Sequence, residues 1–240
     1  MKIMIPFLFA AVALASCKKD IDNVGSNNST SSQKRFYISV FYVDGSQAEI
    51  LDTTKWHYVA VLFYPDRRCE IYIDGIKEVD YYRRNLNYQY TDVYLAVSNY
   101  LNFHGFYKGY LDELRISNVV RSQMEIQDYY TNYLTTNKAA QVADASTIGL
   151  WHFNESSGNT FANSIQGAQS GALYGGYSFS SAGINGNSIY FNGVDAYGDC
   201  KLKIPSSSLT IEFWFKSSTP DGTILQPYGL YSTNISFIAQ

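Results

Sequence analysis

Residues 56–75 read Trp56-His57-Tyr58-Val59-Ala60-Val61-Leu62-Phe63-Tyr64-Pro65-Asp66-Arg67-Arg68-Cys69-Glu70-Ile71-Tyr72-Ile73-Asp74-Gly75. Two runs of β-branched and aromatic residues, each short enough for one strand, are broken by the turn signal Pro65-Asp66. The second run ends on Asp74-Gly75, a strong hairpin cue because a type I′ turn needs positive φ at both central positions. Outward from this stretch the same texture recurs at 36–42, 93–97 and 114–116, and again at 149–153, 188–191, 201–204, 209–215 and 235–238. Only 121–133 reads as a helix, with Ser122 as its cap and Glu125 three positions on as in a capping box. Many short strands, Gly-rich turns and almost no helix predict an all-β protein, an antiparallel β-sandwich.

Composition narrows the class further. The chain has 240 residues, of which 46% are hydrophobic and 16% charged, with a formal net charge of −3. Charge lies well below the ~25% of an ordinary domain while aromatics are plentiful, which argues against a disordered chain. The balance also lacks the basic face of a nucleic-acid binder, so no nucleic-acid partner is expected. The length allows one β domain of about 200 residues or two small ones.

The first residues carry an address. Residues 1–16 hold one Lys and an apolar run from Ile3 to Ala15, too short for a bilayer span of roughly 20 residues but suited to a signal peptide. Leu14-Ala15-Ser16-Cys17 resembles the bacterial lipobox, in which cleavage precedes the Cys and the Cys carries a diacylglycerol. Acyl chains anchor through ~0.8 kcal/mol per buried methylene, so Cys17 is expected to tether the protein to a membrane. Residues 17–34, rich in Ser, Asn and Gly, read as the lipidated Cys and a flexible tether. The sequence Cys17-Lys18-Lys19-Asp20 is similar to the export signal of bacterial surface lipoproteins, which implies an outer-membrane lipoprotein and favours the cell surface. Cys69 and Cys200 remain; an oxidising envelope would allow them to pair, but sequence does not place them side by side.

Several stretches resemble the laminin-G-like jelly roll of the concanavalin A-like lectin/glucanase superfamily. Lys55 to Val61, Ile71 to Gly75 and Gly109 to Ile116 resemble the family phrases W-x-x-V-A, Y-V-D-G and G-x-I-D-E-V-R-I, which occupy the back half of that domain. Leu150 to Gly158, Phe191 to Tyr197 and Leu209 to Phe215 resemble W-x-F-D-E-x-S-G, F-D-G-x-D-D-Y and F-T-I-x-x-W-V-K, which open it. Here the back half (35–133) precedes the front half (148–240), with 134–147 as connector. One circularly permuted jelly roll is the expected arrangement. It requires strands from 209–215 to join strands from 36–116, and Lys34 to lie near Gln240. Truncated tandem domains and a dimer exchanging halves are the alternatives.

The family's glucanases use two carboxylates about 5 Å apart, presented at alternating strand positions. No such string occurs; Asp112 and Glu113 are consecutive and so should face opposite sides of a strand. His57, His104 and His152 have no evident nucleophile beside them, and no catalysis is expected. The resemblance marks Asn192, Asp195 and Asp112 as candidate calcium ligands, since calcium takes oxygen donors. Against this, Asn192-Gly193 suits a tight turn and Asp112 can bond backbone amides. For binding, Tyr81, Tyr82, Arg84, Asn87, Tyr88 and Tyr90 combine aromatic faces with hydrogen-bonding groups, as a glycan platform needs. The resulting expectation is a tethered, noncatalytic domain that recognises extracellular carbohydrate. A protein-protein adhesion or scaffold domain recognising a cell-surface protein, and a diverged glycoside hydrolase, are the other readings.

Overall fold

The structure, a computed structural model, describes residues 36–40, 47–50, 52–82, 91–97, 99–100, 103–136, 138–204, 208–219, 222–228 and 237–239. Their strands belong to one compact unit, Lys34–Gln240. The expected signal peptide, Cys17 and the expected tether lie outside the described residues. The first half of the chain supplies β1 (Phe36–Val40), β2 (Gln47–Ile50), β3 (His57–Phe63), β4 (Arg68–Ile73), β5 (Ile76–Tyr82), β6 (Thr91–Leu95), β7 (Asn99–Tyr100), β8 (Phe103–His104) and β9 (Lys108–Ser117). Helix α1 (Gln123–Thr135) follows. The second half gives β10 (Thr147–Trp151), β11 (Thr160–Phe161), β12 (Gly171–Tyr174), β13 (Tyr177–Ser180), β14 (Ser188–Asn192), β15 (Tyr197–Ile204), β16 (Leu209–Lys216), β17 (Leu225–Tyr228) and β18 (Phe237–Ala239).

Two antiparallel sheets form a sandwich. The larger runs β13-β14-β9-β16-β3-β4-β5, with β10 also paired to β9; the smaller runs β11-β12-β15-β6-β17. Alternation explains what each strand contributes. Val59, Val61 and Phe63 of β3, Ile71 of β4 and Ile211, Phe213 and Phe215 of β16 point into one core with Val93, Leu95, Leu173, Cys200 and Leu225 of the smaller sheet. Each fully buried side chain of this size contributes about 1.5–3 kcal/mol. The other face of the larger sheet is covered too: Tyr58, Ala60, Leu62, Tyr72 and Trp214 pack with Ile126 and Tyr133 of α1. Burial on both faces is why residues 58–63 read as an unbroken apolar run rather than a strict alternation. At the β4–β5 turn Asp74 and Gly75 have φ of 52° and 78°, as the Asp-Gly cue requires.

The two halves of the chain interleave. β16 lies between β3 and β9, with Phe213 opposite Val59 and Ile211 opposite Ile116. β6 of the first half sits between β15 and β17 of the second. Half-sandwiches with separate cores are therefore not what this chain forms. β18 pairs antiparallel with β1, Ile38 opposite Ala239, so the last described residues lie beside the first; Lys34 and Gln240 themselves are outside the described residues. Cys69 of β4 and Cys200 of β15 are both buried, on different sheets, and no disulfide joins them.

Candidate functional site

Helix α1 and the strands beneath it organise the outer face of the larger sheet. The Ser122 hydroxyl accepts from the Glu125 amide while the Glu125 carboxylate accepts from the Ser122 amide, closing the predicted capping box. The helix lays Tyr129 and Tyr133 on Trp214, whose indole Nε1 donates to the Tyr129 hydroxyl at 3.1 Å, and the Tyr133 and Trp214 rings are 4.3 Å apart. Beneath them Glu212 is fully buried. Its carboxylate accepts from Arg115 at 2.7 Å through both Nε and Nη2, and from the Tyr58 hydroxyl at 2.5 Å. Arg121 adds a second cation 3.3 Å away. Burial and the neighbouring carboxylate hold the Tyr58 phenol well above its usual range. Glu212, Arg115 and Tyr58 are buried and satisfy one another, so the network fixes the helix to the sheet.

Asp112 and Glu113 depart from expectation. Glu113 has a φ of 51° and sits in a bulge of β9 where the register with β16 shifts, so strand alternation is interrupted and both carboxyls reach the helix side of the sheet. Asp112 Oδ2 accepts from the Ile184 amide at 2.6 Å and the Asn185 amide at 3.3 Å. Burial, and then the charge of Glu113, push its carboxyl up to about 8. Glu113 accepts from the Gln141 amide at 2.6 Å and bonds His152 Nδ1 at 2.8 Å. That bond to Glu113 outweighs burial and raises the His152 imidazole. His57 uses both ring nitrogens, on Asp74 at 2.8 Å and on the Asp52 carbonyl at 2.7 Å. The His104 side chain is outside the described residues.

The three candidate calcium ligands are not brought together. Asn192 Oδ1 accepts from the amides of Val194, Asp195 and Ala196, making the tight turn, and its Nδ2 donates to Asp195 at 2.7 Å. Asn192 is opposite Lys108 on β9. Asp112 lies four residues further along that strand, roughly 14 Å away at 3.4 Å per residue. Oxygens already engaged by amides, and a carboxyl protonated at neutral pH, do not fit a calcium cage. Of the candidate glycan residues, Tyr81 and Tyr82 end β5, but their side chains, and Arg84, Asn87, Tyr88 and Tyr90 entirely, lie outside the described residues.

What the structure assembles instead is an aromatic shelf on the larger sheet, past the edge of the helix. Trp56 precedes β3, in a segment pinned to the end of β16 by the Ser217 amide donating to the Thr53 carbonyl at 2.8 Å. Lys216 closes β16 and is opposite Tyr110 of β9, which is opposite Tyr190 of β14. The Lys216 ammonium lies 5.1 Å from the Trp56 ring centre and 4.7 Å from that of Tyr110. The Tyr110 ring is 6.2 Å from Trp56 and 4.9 Å from Tyr190. All four side chains are half-buried. From the core side, buried Tyr107 donates its hydroxyl to the Lys216 carbonyl at 3.1 Å. Gly109, with φ 159°, makes room for it, because a Cβ there would come within 2.2 Å of the Tyr107 oxygen. Nothing local in the sequence singles out Trp56, Tyr190 and Lys216 as neighbours. The available signal was parity: Glu212, Trp214 and Lys216 share one face of β16, as Tyr110 and Asp112 share one face of β9.

Residues 20–127, just under half the chain, match a laminin-G-type family model described as the concanavalin A-like lectin/glucanases superfamily. The motif-bearing stretches 150–158, 191–197 and 209–215 lie outside the matched span. No curated protein and no solved structure matches the chain. Among the described residues no helix is long and apolar enough to cross a membrane.

Proposed function

We propose that this chain is a noncatalytic, membrane-tethered carbohydrate-binding domain that takes glycan on the Trp56–Lys216–Tyr110–Tyr190 shelf. The superfamily match gives the matched half of the chain, at the coarse level, a carbohydrate- or protein-binding role. The observation that carries the finer reading is the shelf itself. Three aromatic rings and one ammonium span four adjacent strands, apolar faces to stack on sugar C–H surfaces beside a donor for hydroxyls. The lipobox-like Cys17 and the 17–34 segment would hold the domain to the outer membrane, facing the cell exterior. The noncatalytic reading rests on the carboxylates: Glu212, Asp112 and Glu113 are buried and committed to internal partners. The interleaved halves, with β1 beside β18, support a circularly permuted jelly roll, its family order cut and rejoined through 134–147.

The test is binding of the chain to an array of polysaccharides, with Trp56→Ala and Tyr110→Ala as variants. Affinity of the site that contains the substituted residue should fall at least tenfold in each, about 1.4 kcal/mol, with the melting temperature little changed. A blank array would pass the site to a protein partner, and hydrolysis of any polysaccharide, lost in Glu113→Gln, would overturn the noncatalytic reading.

A further inference from the structure

The smaller sheet carries a second cluster of half-exposed rings on its outer face. Tyr174 of β12 is directly opposite Tyr197 of β15, and the two rings stack 4.7 Å apart at 15°. Tyr174 is 41% exposed. One strand further, Tyr94 of β6 is opposite Asp199 of β15, and the Asp199 charge is one cause of the rise in the Tyr94 phenol, after burial. The Lys201 ammonium pairs with Asp199, and its own rise reflects that carboxylate first, with Tyr174 and Tyr94 also contributing. None of these tyrosines belongs to either hydrophobic cluster. Their strand neighbours Leu173, Cys200, Val93 and Leu95, at opposite parity, point into the main core. The core separates the two sheets, so this cluster and the Trp56 shelf face opposite directions.

Resting on the carbohydrate-binding reading of the first shelf, we infer that Tyr174, Tyr197 and Tyr94 with the Asp199–Lys201 pair form a second, independent site for an uncharged oligosaccharide, so that one chain bridges two glycans. The charge pattern selects this occupant. Asp199 and Lys201 neutralise each other, and Asp92 of β6 and Lys203 of β15, opposite one another, balance in charge, leaving no net field for an acidic or basic ligand, while carboxylate, ammonium and phenol groups supply acceptors and donors for hydroxyls. Stacked tyrosines give the apolar face that a sugar ring covers, and the surrounding ions make the patch a poor fit for a lipid or a hydrophobic peptide. Because the sites point apart, no single short oligosaccharide reaches both.

Bridging is measurable with the full chain carrying Cys17→Ser, which removes the acylation site, and confirmed monomeric by sedimentation. Beads coated with starch, xylan, galactomannan or mixed-linkage β-glucan, and with alginate as an acidic control, are scored for bound protein and for clumping. The monomer should clump beads of at least one neutral coating. A Tyr174→Ala/Tyr197→Ala variant should still bind them, at about half the saturating stoichiometry, without clumping. Trp56→Ala/Tyr110→Ala should behave the same way, and the two sets combined should abolish binding. The inference is overturned if the Cys17→Ser monomer binds without clumping, if the added Tyr174→Ala/Tyr197→Ala pair leaves clumping unchanged, or if clumping is confined to alginate. Loss of all binding in the Tyr174/Tyr197 variant, with Trp56/Tyr110 substitutions silent, would overturn both the two-site inference and the assignment of the first shelf. Absence of binding to every coating would sink the carbohydrate reading itself.

Discussion

At the scale of single residues, the helix-covered face concentrates buried charge, and its consequences are calculable. Glu212 → Ala would leave Arg115 buried without its carboxylate, which typically costs 3–5 kcal/mol, roughly the cost of breaking a buried ion pair. Urea denaturation of the variant measures this, and a loss below about 1 kcal/mol would mean that solvent already reaches the pair. Asp112 and His152 set a pH dependence. The Asp112 carboxyl, pushed up to about 8, stays protonated in the folded chain when the unfolded chain has released that proton. His152, raised by Glu113, likewise holds its proton more tightly when folded. The Asp112 contribution is fully present only below its unfolded value near 4 and is lost progressively as pH rises to about 8; that of His152 is fully present below about 6.5 and is lost through its raised value. Stability should therefore fall from about pH 4 to 8, at up to roughly 1.4 kcal/mol per pH unit from Asp112, of which roughly 2 kcal/mol falls between pH 6 and 8. Melting curves across that range should flatten in Asp112→Asn; identical profiles for the two proteins would refute the assignment. The consecutive acids also show a limit of strand logic. Alternation predicts opposite faces for Asp112 and Glu113, but one left-handed residue in a bulge cancels it, and no pattern in the local sequence announces that bulge.

At the scale of elements, α1 was legible to within two residues, because capping chemistry is local. Ser122, Glu125 and the turn between them contain their own hydrogen bonds. Ser122→Ala should remove about 1 kcal/mol, read as a lower thermal midpoint, and an unchanged midpoint would mean that tertiary contacts alone hold the helix. β3, β4 and β16 are legible in their apolar runs because each is buried on both faces, whereas of β9 only 114–116 reads as strand. β2, β5, β7, β8, β11, β12, β13 and β17 carry no such run. β5 is an edge strand with exposed Ile76, Lys77 and Glu78, so burial left little periodicity in its sequence. The connector reads as small and polar, yet it is stapled: Gln141 donates to Glu113, Arg115 to the Val142 carbonyl, and Arg121 to Asp144.

At the scale of the whole molecule, the interleaving of β9, β16 and β3, and of β6 between β15 and β17, means that each half of the chain supplies strands that complete both sheets of the other. Chains ending after α1 and starting before β10, expressed together, should therefore co-purify and show the near-ultraviolet spectrum of the intact protein, whereas either alone should not. A fragment that folds cooperatively by itself would contradict the shared core. The same interleaving builds the shelf, since Trp56, Tyr110, Tyr190 and Lys216 are supplied by segments spread over 161 positions of the 240-residue chain, 56 to 216 counted inclusively. By itself the sequence determined the β-sandwich, the Asp-Gly turn, the capped helix and the resemblance to the superfamily, because strand periodicity, turn chemistry and capping are set by neighbours along the chain. Only the tertiary structure decided which aromatic rings share a surface, that Asp112 and Glu113 face the same side, and that His57 and His152 are held by carboxylates. Those depend on strand register and on a bulge, and register is fixed by which distant faces can be buried together.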